Sequence, residues 1–169
     1  VFLNSIWYGI VATIICLVIA YPTAYFIARS KARVQSTMIM LVMLPMWTSL
    51  LVRTYSIMSL IENTGIINTF FEKIGIGTVQ MINTPGAVVL GMVYDFLPFM
   101  ILPIYSVLTK LDNRLVEAAH DLGASKMTVL AKVILPLSRS GILSGITMVF
   151  VPSVSTFYIS QKMGGGNFD

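Results

Sequence analysis

Long apolar runs separated by short polar stretches make up most of this chain. Four runs, at positions 6–28, 38–60, 87–108 and 142–160, are close to the roughly 20 residues that a helix needs to cross a bilayer. The second run contains Arg53. The pattern predicts four membrane-spanning helices. The stretch 62–85 is rich in Gly, Asn and Thr, which predicts a loop with one short helix near 68–74.

Composition favours a membrane protein over a soluble one. Hydrophobic residues make up 56% of the chain and charged residues 11%, whereas soluble domains carry about 25% charged residues. The net charge of +4 comes without a basic stripe interleaved with aromatics, which argues against nucleic acid as a partner. The single cysteine, Cys16, excludes an internal disulfide. We expect an all-α, polytopic membrane helical bundle in one domain, 1–169, as part of a longer polypeptide.

The basic residues predict an orientation. Eight of them follow the first run or lie between the third and fourth runs, and three are left for the other side. The eight are Arg29, Lys31, Arg33, Lys110, Arg114, Lys126, Lys132 and Arg139; the three are Arg53, Lys73 and Lys162. Because loops rich in Lys and Arg stay in the cytoplasm, we expect the loop at 110–140 to be cytoplasmic and Val1 to lie outside.

Proline residues interrupt every predicted span. They are Pro22, Pro45, Pro98, Pro103 and Pro152. Proline removes a backbone hydrogen bond and kinks a helix, so these positions suit a bundle arranged around a pathway. The alternative is that membrane helices carry extra proline for other reasons.

The loop at 110–140 contains signals for two short helices joined by a sharp turn. Asp112 is a suitable N-cap for a helix at 115–122, and Gly123 is a natural residue for a left-handed turn after it. Ser125 predicts the start of a second helix that ends near Leu135, before Pro136.

The first of these helices has an acidic face. Glu117 and Asp121 are four residues apart, so they share that face, and only Arg114 offers a nearby counter-charge. The small residues Ala118 and Ala119 permit close approach by another surface, and Leu115 and Leu122 add apolar contact. Two interpretations are open: a docking surface for a basic partner, or an ordinary amphipathic helix with a solvated acidic face.

The stretch EAAHDLGASKMTVLAKVILP at 117–136 resembles the motif of permease subunits of bacterial ATP-binding-cassette (ABC) importers, with Val133 where isoleucine is usual. The resemblance implies a cytoplasmic coupling helix that fits a groove on the ATPase subunit and transmits its closure. Glu117 would pair with a basic ATPase residue and Gly123 would form the turn. The implied coupling residues are Glu117, Ala118, Ala119, Asp121, Leu122, Gly123, Ala124 and Ser125.

Three further runs, LPMWTSLLVRTYSIM, VYDFLPFMILPIYSVL and PSVSTFYISQKMGGG, resemble the permease subunits of spermidine/putrescine importers. The resemblance covers essentially the whole chain and implies the MetI-like fold of ABC importer permeases, with six spans in the complete subunit. It also implies a place in the bacterial inner membrane. The implied partners are a dimer of ATPase subunits, a second permease, an external solute-binding protein and membrane lipid. Similar permeases move iron, sulfate, thiamine or phosphonates.

Candidate residues for a substrate pathway lie in the spans. Asp95 is an intramembrane carboxylate, which marks a functional candidate; the alternative is that it pairs with Arg53 or with another subunit. Trp47, Tyr55, Tyr94 and Tyr105 could make cation–π contacts with a polyamine or pack between helices.

Neither catalysis nor a cofactor is expected in this chain. It contains no G-x-x-x-x-G-K-[ST] phosphate loop, so ATP and magnesium would bind the partner subunit. His120 stands without a second ligand nearby, and we expect no metal site. An ion-driven carrier is the alternative of a different class, and it would need repeated, broken spans with several ion-coordinating residues.

Overall fold

In the computed structural model, which describes residues 2–82 and 84–156, every regular element is a helix. The helices are α1 (Phe2–Arg29), α2 (Ala32–Met43, extended by a 3₁₀ turn at Leu44–Trp47), α3 (Leu50–Ile61), α4 (Ile66–Ile74), α5 (Pro85–Thr109), α6 (Asn113–Asp121), α7 (Lys126–Leu137) and α8 (Arg139–Ser155). The predicted all-α class is confirmed.

The core of the fold is α5, flanked by α1 and α8. Both flanking helices turn small side chains toward the interior at intervals of four residues, which places them on one face of a helix. On α1 these are Ala12, Cys16, Ala20 and Ala24; on α8 they are Gly141, Gly145, Val149 and Ser153. Small residues let helix backbones approach closely, which favours helix association inside a membrane.

Two glycines show how close that approach is. A Cβ atom added to Gly141 would lie 2.9 Å from the carbonyl oxygen of Pro103, and one added to Gly145 would lie 2.6 Å from the sulfur of Met100. The first obstacle is backbone and the second is a flexible side chain. The packing of α8 on α5 therefore depends on the missing side chain at Gly141.

The opposite face of α1 carries large apolar side chains that the described residues leave exposed. Leu3 is 80% exposed, Trp7 63% and Val18 66%. An exposed apolar face on a 28-residue helix is what lipid contact requires. Helices α1 and α5 are each long and apolar enough to cross a membrane as continuous helices, which agrees with the predicted spans 6–28 and 87–108.

The second predicted span, 38–60, is not one straight helix. The chain bends by 99° between Ala32–Trp47 and the segment Leu50–Ile74. Thr48 and Ser49 have extended backbone at the bend, and the Ser49 hydroxyl accepts a hydrogen bond from the Val52 N–H, which starts α3. The hydropathy pattern cannot detect this bend because apolar residues lie on both sides of it.

The fourth predicted span, 142–160, is described as far as residue 156 and corresponds to α8. Prolines 22, 98, 103 and 152 lie inside helices that remain continuous. Among the described apolar helix pairs that could each form one span, sharp bends occur at 48–49 and at Ser138, where α7 and α8 meet at 66°. Of the prolines predicted to kink spans, only Pro45 is next to a bend.

The expectation that Pro136 ends the second short helix is wrong. Helix α7 widens into a π-helix at Leu130–Ile134 and continues through one α turn, Leu135–Leu137, that contains Pro136. A proline is unfavourable in a helix because it cannot donate to the carbonyl four residues back and because its ring collides with that group. The hydrogen bonds of the preceding π segment already depart from the four-residue spacing. The helix therefore continues through Pro136, and the chain turns at Ser138 instead.

The predicted short helix in 62–85 is present as α4, two residues longer at its start. Its buried Asn68 side chain holds the surrounding loop together. The amide nitrogen donates to the Glu62 carbonyl at 3.0 Å, and the amide oxygen accepts from the Val79 N–H at 3.0 Å. One side chain thus joins both ends of the loop to α4.

Candidate functional site: the α6–α7 element

The α6–α7 element, residues 112–137, forms through the local signals that the sequence contains. The Asp112 carboxylate accepts from the Arg114 N–H at 2.9 Å, and the Ser125 hydroxyl accepts from the Thr128 N–H at 3.3 Å. Gly123 has φ of +84°, a conformation that side chains disfavour. The helix–turn–helix shape, both caps and the glycine turn are as predicted.

Helix α6 has two distinct faces. Asn113, Val116 and His120 turn toward the end of α1 and the start of α7, where Val116 and His120 line a groove. Glu117 and Asp121 follow Asn113 at intervals of four residues, about a quarter turn of the helix away from Val116 and His120, and both are exposed. The acidic face is therefore accessible to a partner.

The acidic face forms no ion pair in the part of the chain that the structure describes. Within residues 2–82 and 84–156, no salt bridge engages Glu117 or Asp121. Arg114, the counter-charge expected from the sequence, is exposed as well and forms no salt bridge with them. Two carboxylates four residues apart repel each other mildly, so a basic partner would stabilise this surface.

Apolar side chains extend the exposed surface around the turn. Leu122 is 89% exposed, Met127 72% and Leu115 49%. Gly123 and Ser125 are exposed as well, while Ala119 and Ala124 are half-buried. Of the eight predicted coupling residues, the structure places six on the exposed surface and two beneath it.

Two contacts, neither of them anticipated from the sequence, join the α6–α7 element to the spans. Arg29, the last residue of α1, donates from Nη1 to the Asn113 side-chain oxygen at 2.7 Å and lies 5.5 Å from the centre of the Tyr25 ring. The hydroxyl groups of Tyr21 and Ser138 are 3.0 Å apart, which links α1 to the bend before α8. From the sequence, Arg29 is identifiable only as an orientation charge, because contacts between distant segments leave no local signal.

The intramembrane carboxylate Asp95 faces Arg53. Arg53 Nε lies 3.6 Å from Asp95 Oδ1, and Arg53 Nη1 donates to the Asp95 backbone carbonyl at 3.0 Å. The side chains are 12% and 2% exposed. Of the two alternatives for Asp95, the structure shows the pairing with Arg53, which joins α3 to α5; a direct contact with cargo would require that pair to separate.

Three of the four aromatic candidates are exposed, and the fourth lies elsewhere on α5. Trp47 is 74% exposed, Tyr55 51% and Tyr94 37%. Tyr105 follows Tyr94 by eleven residues, about 16 Å along α5, and its hydroxyl donates to the Gln35 side-chain oxygen at 3.5 Å. Gln35 in turn donates to carbonyls at the end of α1. Tyr105 therefore supports the α1–α2 turn, and the other three stay candidates.

Sequence comparison supplies independent information on the whole chain. A family model described as "Binding-protein-dependent transport system inner membrane component" matches residues 1–168. The chain is 40% identical over 167 residues to the spermidine/putrescine transport system permease protein PotB of Escherichia coli K12, covering 98% of this chain and 61% of that protein. It is 43% identical over 164 residues to PotB of Haemophilus influenzae, covering 96% and 57%.

A more distant relative is the PotB homolog of Mycoplasma pneumoniae. That protein is 33% identical over 149 residues, which cover 88% of this chain and 51% of the homolog. The chain thus spans between 51% and 61% of the length of these three relatives.

Proposed function

Because this chain belongs to the family of inner membrane components of binding-protein-dependent transport systems, we propose that it is the permease of an ATP-driven importer of polyamines. The family and the helical bundle make it a membrane-embedded transport component. Polyamine cargo is supported by relatives named for spermidine and putrescine transport, whose identity of 40% extends over 98% of this chain.

The observation that carries a coupling role is the exposed, unpaired acidic face of α6 next to a rigid turn. Glu117 and Asp121 are exposed without a salt bridge in the described part of the chain, and Leu122 projects beside them. The element also contacts α1 through Arg29 and Asn113. A force applied at α6 can therefore reach the membrane-spanning helices directly.

The proposed assembly follows from that role. The α6–α7 element lies in the cytoplasm and docks on an ATPase dimer, which binds ATP and magnesium. A second permease completes the pathway, and a solute-binding protein delivers cargo from outside the inner membrane. No cofactor binds this chain itself in the proposed mechanism.

Charge reversal at Glu117 tests the coupling role. In the full-length importer, Glu117→Lys should lower spermidine uptake and ATPase co-purification at least about tenfold, because a charge-assisted contact is lost and a repulsive one replaces it. The matched control is Glu72→Lys, an exposed glutamate on α4 at the other end of the bundle. Normal uptake and normal ATPase co-purification in Glu117→Lys would refute the docking role.

The cargo is tested separately. The reconstituted importer, with its binding protein, is given spermidine, putrescine, ferric iron, sulfate, thiamine or a phosphonate, and its ATPase activity is measured. We expect spermidine and putrescine, and none of the other solutes, to stimulate the ATPase activity. Stimulation by another solute would refute the polyamine assignment and leave the coupling role intact.

A further inference from the structure

A groove separates the end of α1 from the α6–α7 element. It encloses about 470 Å³, and three of its lining side chains are basic: Arg29, His120 and Lys126. Among the described residues that line it, none is acidic. We call this the basic groove. None of its lining residues belongs to the acidic face of α6, which lies about a quarter turn of that helix away.

The guanidinium of Arg29 is held in place at the rim. Its Nη1 donates to the Asn113 side-chain oxygen, and its Cζ lies over the Tyr25 ring, 5.5 Å from the ring centre. A guanidinium has five N–H groups, and the Asn113 bond engages one of them. A fixed guanidinium with remaining donors is well suited to a phosphate, which accepts several charge-assisted hydrogen bonds.

The interior of the basic groove is apolar. Val129 and Ile134 are 2% and 1% exposed at its base, and Met127 and Leu130 complete the wall. A free inorganic anion gains nothing from such a wall. A ligand with a negatively charged head and a hydrocarbon tail would contact both parts.

The position of the basic groove along the membrane normal fits such a ligand. The apolar run at 6–28 in α1 is about 35 Å long at 1.5 Å per residue. The hydrocarbon core of a bilayer is about 30 Å thick. Arg29, the last residue of α1, therefore lies at the level of the lipid headgroups.

We propose that the basic groove binds an anionic phospholipid, with Arg29 and Lys126 at the headgroup phosphate and the apolar wall against the first part of an acyl chain. A basic pocket beside membrane-spanning helices is the arrangement by which proteins select anionic headgroups. The bound lipid would connect the end of α1 to α7. This inference does not depend on the nature of the cargo or on the docking of an ATPase.

The test uses the full-length protein and measures lipid retention by native mass spectrometry, with phosphatidylglycerol and phosphatidylcholine as probes. Wild type should retain one phosphatidylglycerol in preference to phosphatidylcholine. Each removed charge should weaken that preference about fivefold, so Arg29→Gln/Lys126→Gln should lose about 25-fold. Lys126→Gln alone, at an exposed position, provides a milder variant should the double one fail to fold.

The matched control is Arg33→Gln/Lys132→Gln, which removes two exposed charges that do not line the basic groove. The preference of this control for phosphatidylglycerol should stay within about twofold of that of wild type. A removed charge weakens the preference only when it lies near the headgroup of the bound lipid. An equal loss in the control, or no headgroup preference in wild type, would overturn the proposal. Displacement of the lipid by inorganic phosphate would indicate a free-anion site instead, and displacement by an added ATPase subunit would indicate a protein interface; either result also overturns it.

Discussion

Separating the Arg53–Asp95 pair should destabilise the bundle more than removing both charges. The two charges are 3.6 Å apart and nearly sequestered from water. At an effective dielectric constant of about 20, two unit charges at that distance attract each other by about 5 kcal/mol. Removing one partner of a buried pair costs about 3–5 kcal/mol, because the other charge is left without compensation.

The contact between the two charged groups is not itself hydrogen-bonded, although Arg53 Nη1 donates to the Asp95 backbone carbonyl. Within the described residues, neither Arg53 Nε nor Asp95 Oδ1 makes a hydrogen bond. Attraction without hydrogen bonding leaves part of the desolvation cost unrecovered. The double variant Arg53→Met/Asp95→Asn, which removes both charges, should therefore cost much less than the sum of the single ones.

A double-mutant cycle measures this directly. We expect Arg53→Met and Asp95→Asn each to lower the free energy of unfolding in mixed micelles by about 3 kcal/mol and the double variant to lower it by only about 1 kcal/mol, which is a coupling energy of about 5 kcal/mol. Arg33→Met with Glu72→Gln, two exposed residues on α2 and α4, is the control cycle and should be additive. Additivity in the Arg53–Asp95 cycle would refute the pairing. Spermidine uptake by the double variant shows whether Asp95 also contacts cargo, since a raised KM at normal stability would place it in the pathway.

Three further substitutions test the packing and the turns. Gly141→Ala should lower the free energy of unfolding by about 1–3 kcal/mol relative to Gly86→Ala, because its new methyl group meets the Pro103 carbonyl at 2.9 Å, whereas one at Gly86 meets only the Thr84 hydroxyl, at 3.8 Å; equal unfolding midpoints would contradict the close approach of α8. Asn68→Ala should speed hydrogen exchange at the Val79 amide about tenfold or more, because two hydrogen bonds of roughly 1 kcal/mol are lost; unchanged exchange would show that the loop is held otherwise. Gly123→Ala should lower the stability of α6 by about 1–2 kcal/mol, because alanine is strained at the positive φ of this position; hydrogen-exchange protection of α6 measures the loss. Gly123→Asn should lower it less, and an equal loss in both variants would argue against a left-handed turn.

Local signals account for the parts of the fold that sequence reasoning predicted well. The caps at Asp112 and Ser125 and the turn at Gly123 depend on residues only two or three positions away. The shape of the α6–α7 element could therefore be predicted from the sequence. The continuous spans α1 and α5 follow from apolar length alone. The resemblance of the 117–136 stretch to importer permeases is confirmed at the level of the family.

The features that were missed depend on contacts between distant segments. The bend at 48–49 brings α3 to α5, where Arg53 meets Asp95 forty-two positions later in the chain. The spacing of Gly141 and Gly145 is recognisable in the sequence as a small-residue packing motif. The sequence does not show which residues of α5 pack against it. The contact between Arg29 and Asn113 joins residues eighty-four positions apart, and the sequence around either residue does not predict it.

The small-residue face of α1 has a consequence for how such sequences diverge. At Ala12, Cys16, Ala20 and Ala24 each side chain is fully buried, so drift there should be confined to alanine, glycine, serine and cysteine. Leu3, Trp7 and Val18, on the outer face, should exchange freely among large apolar residues because lipid adapts to any of them. Substitution rates along α1 should thus rise and fall with a period of close to four residues. The variability of each position among related sequences would then show which face of α1 packs against the protein.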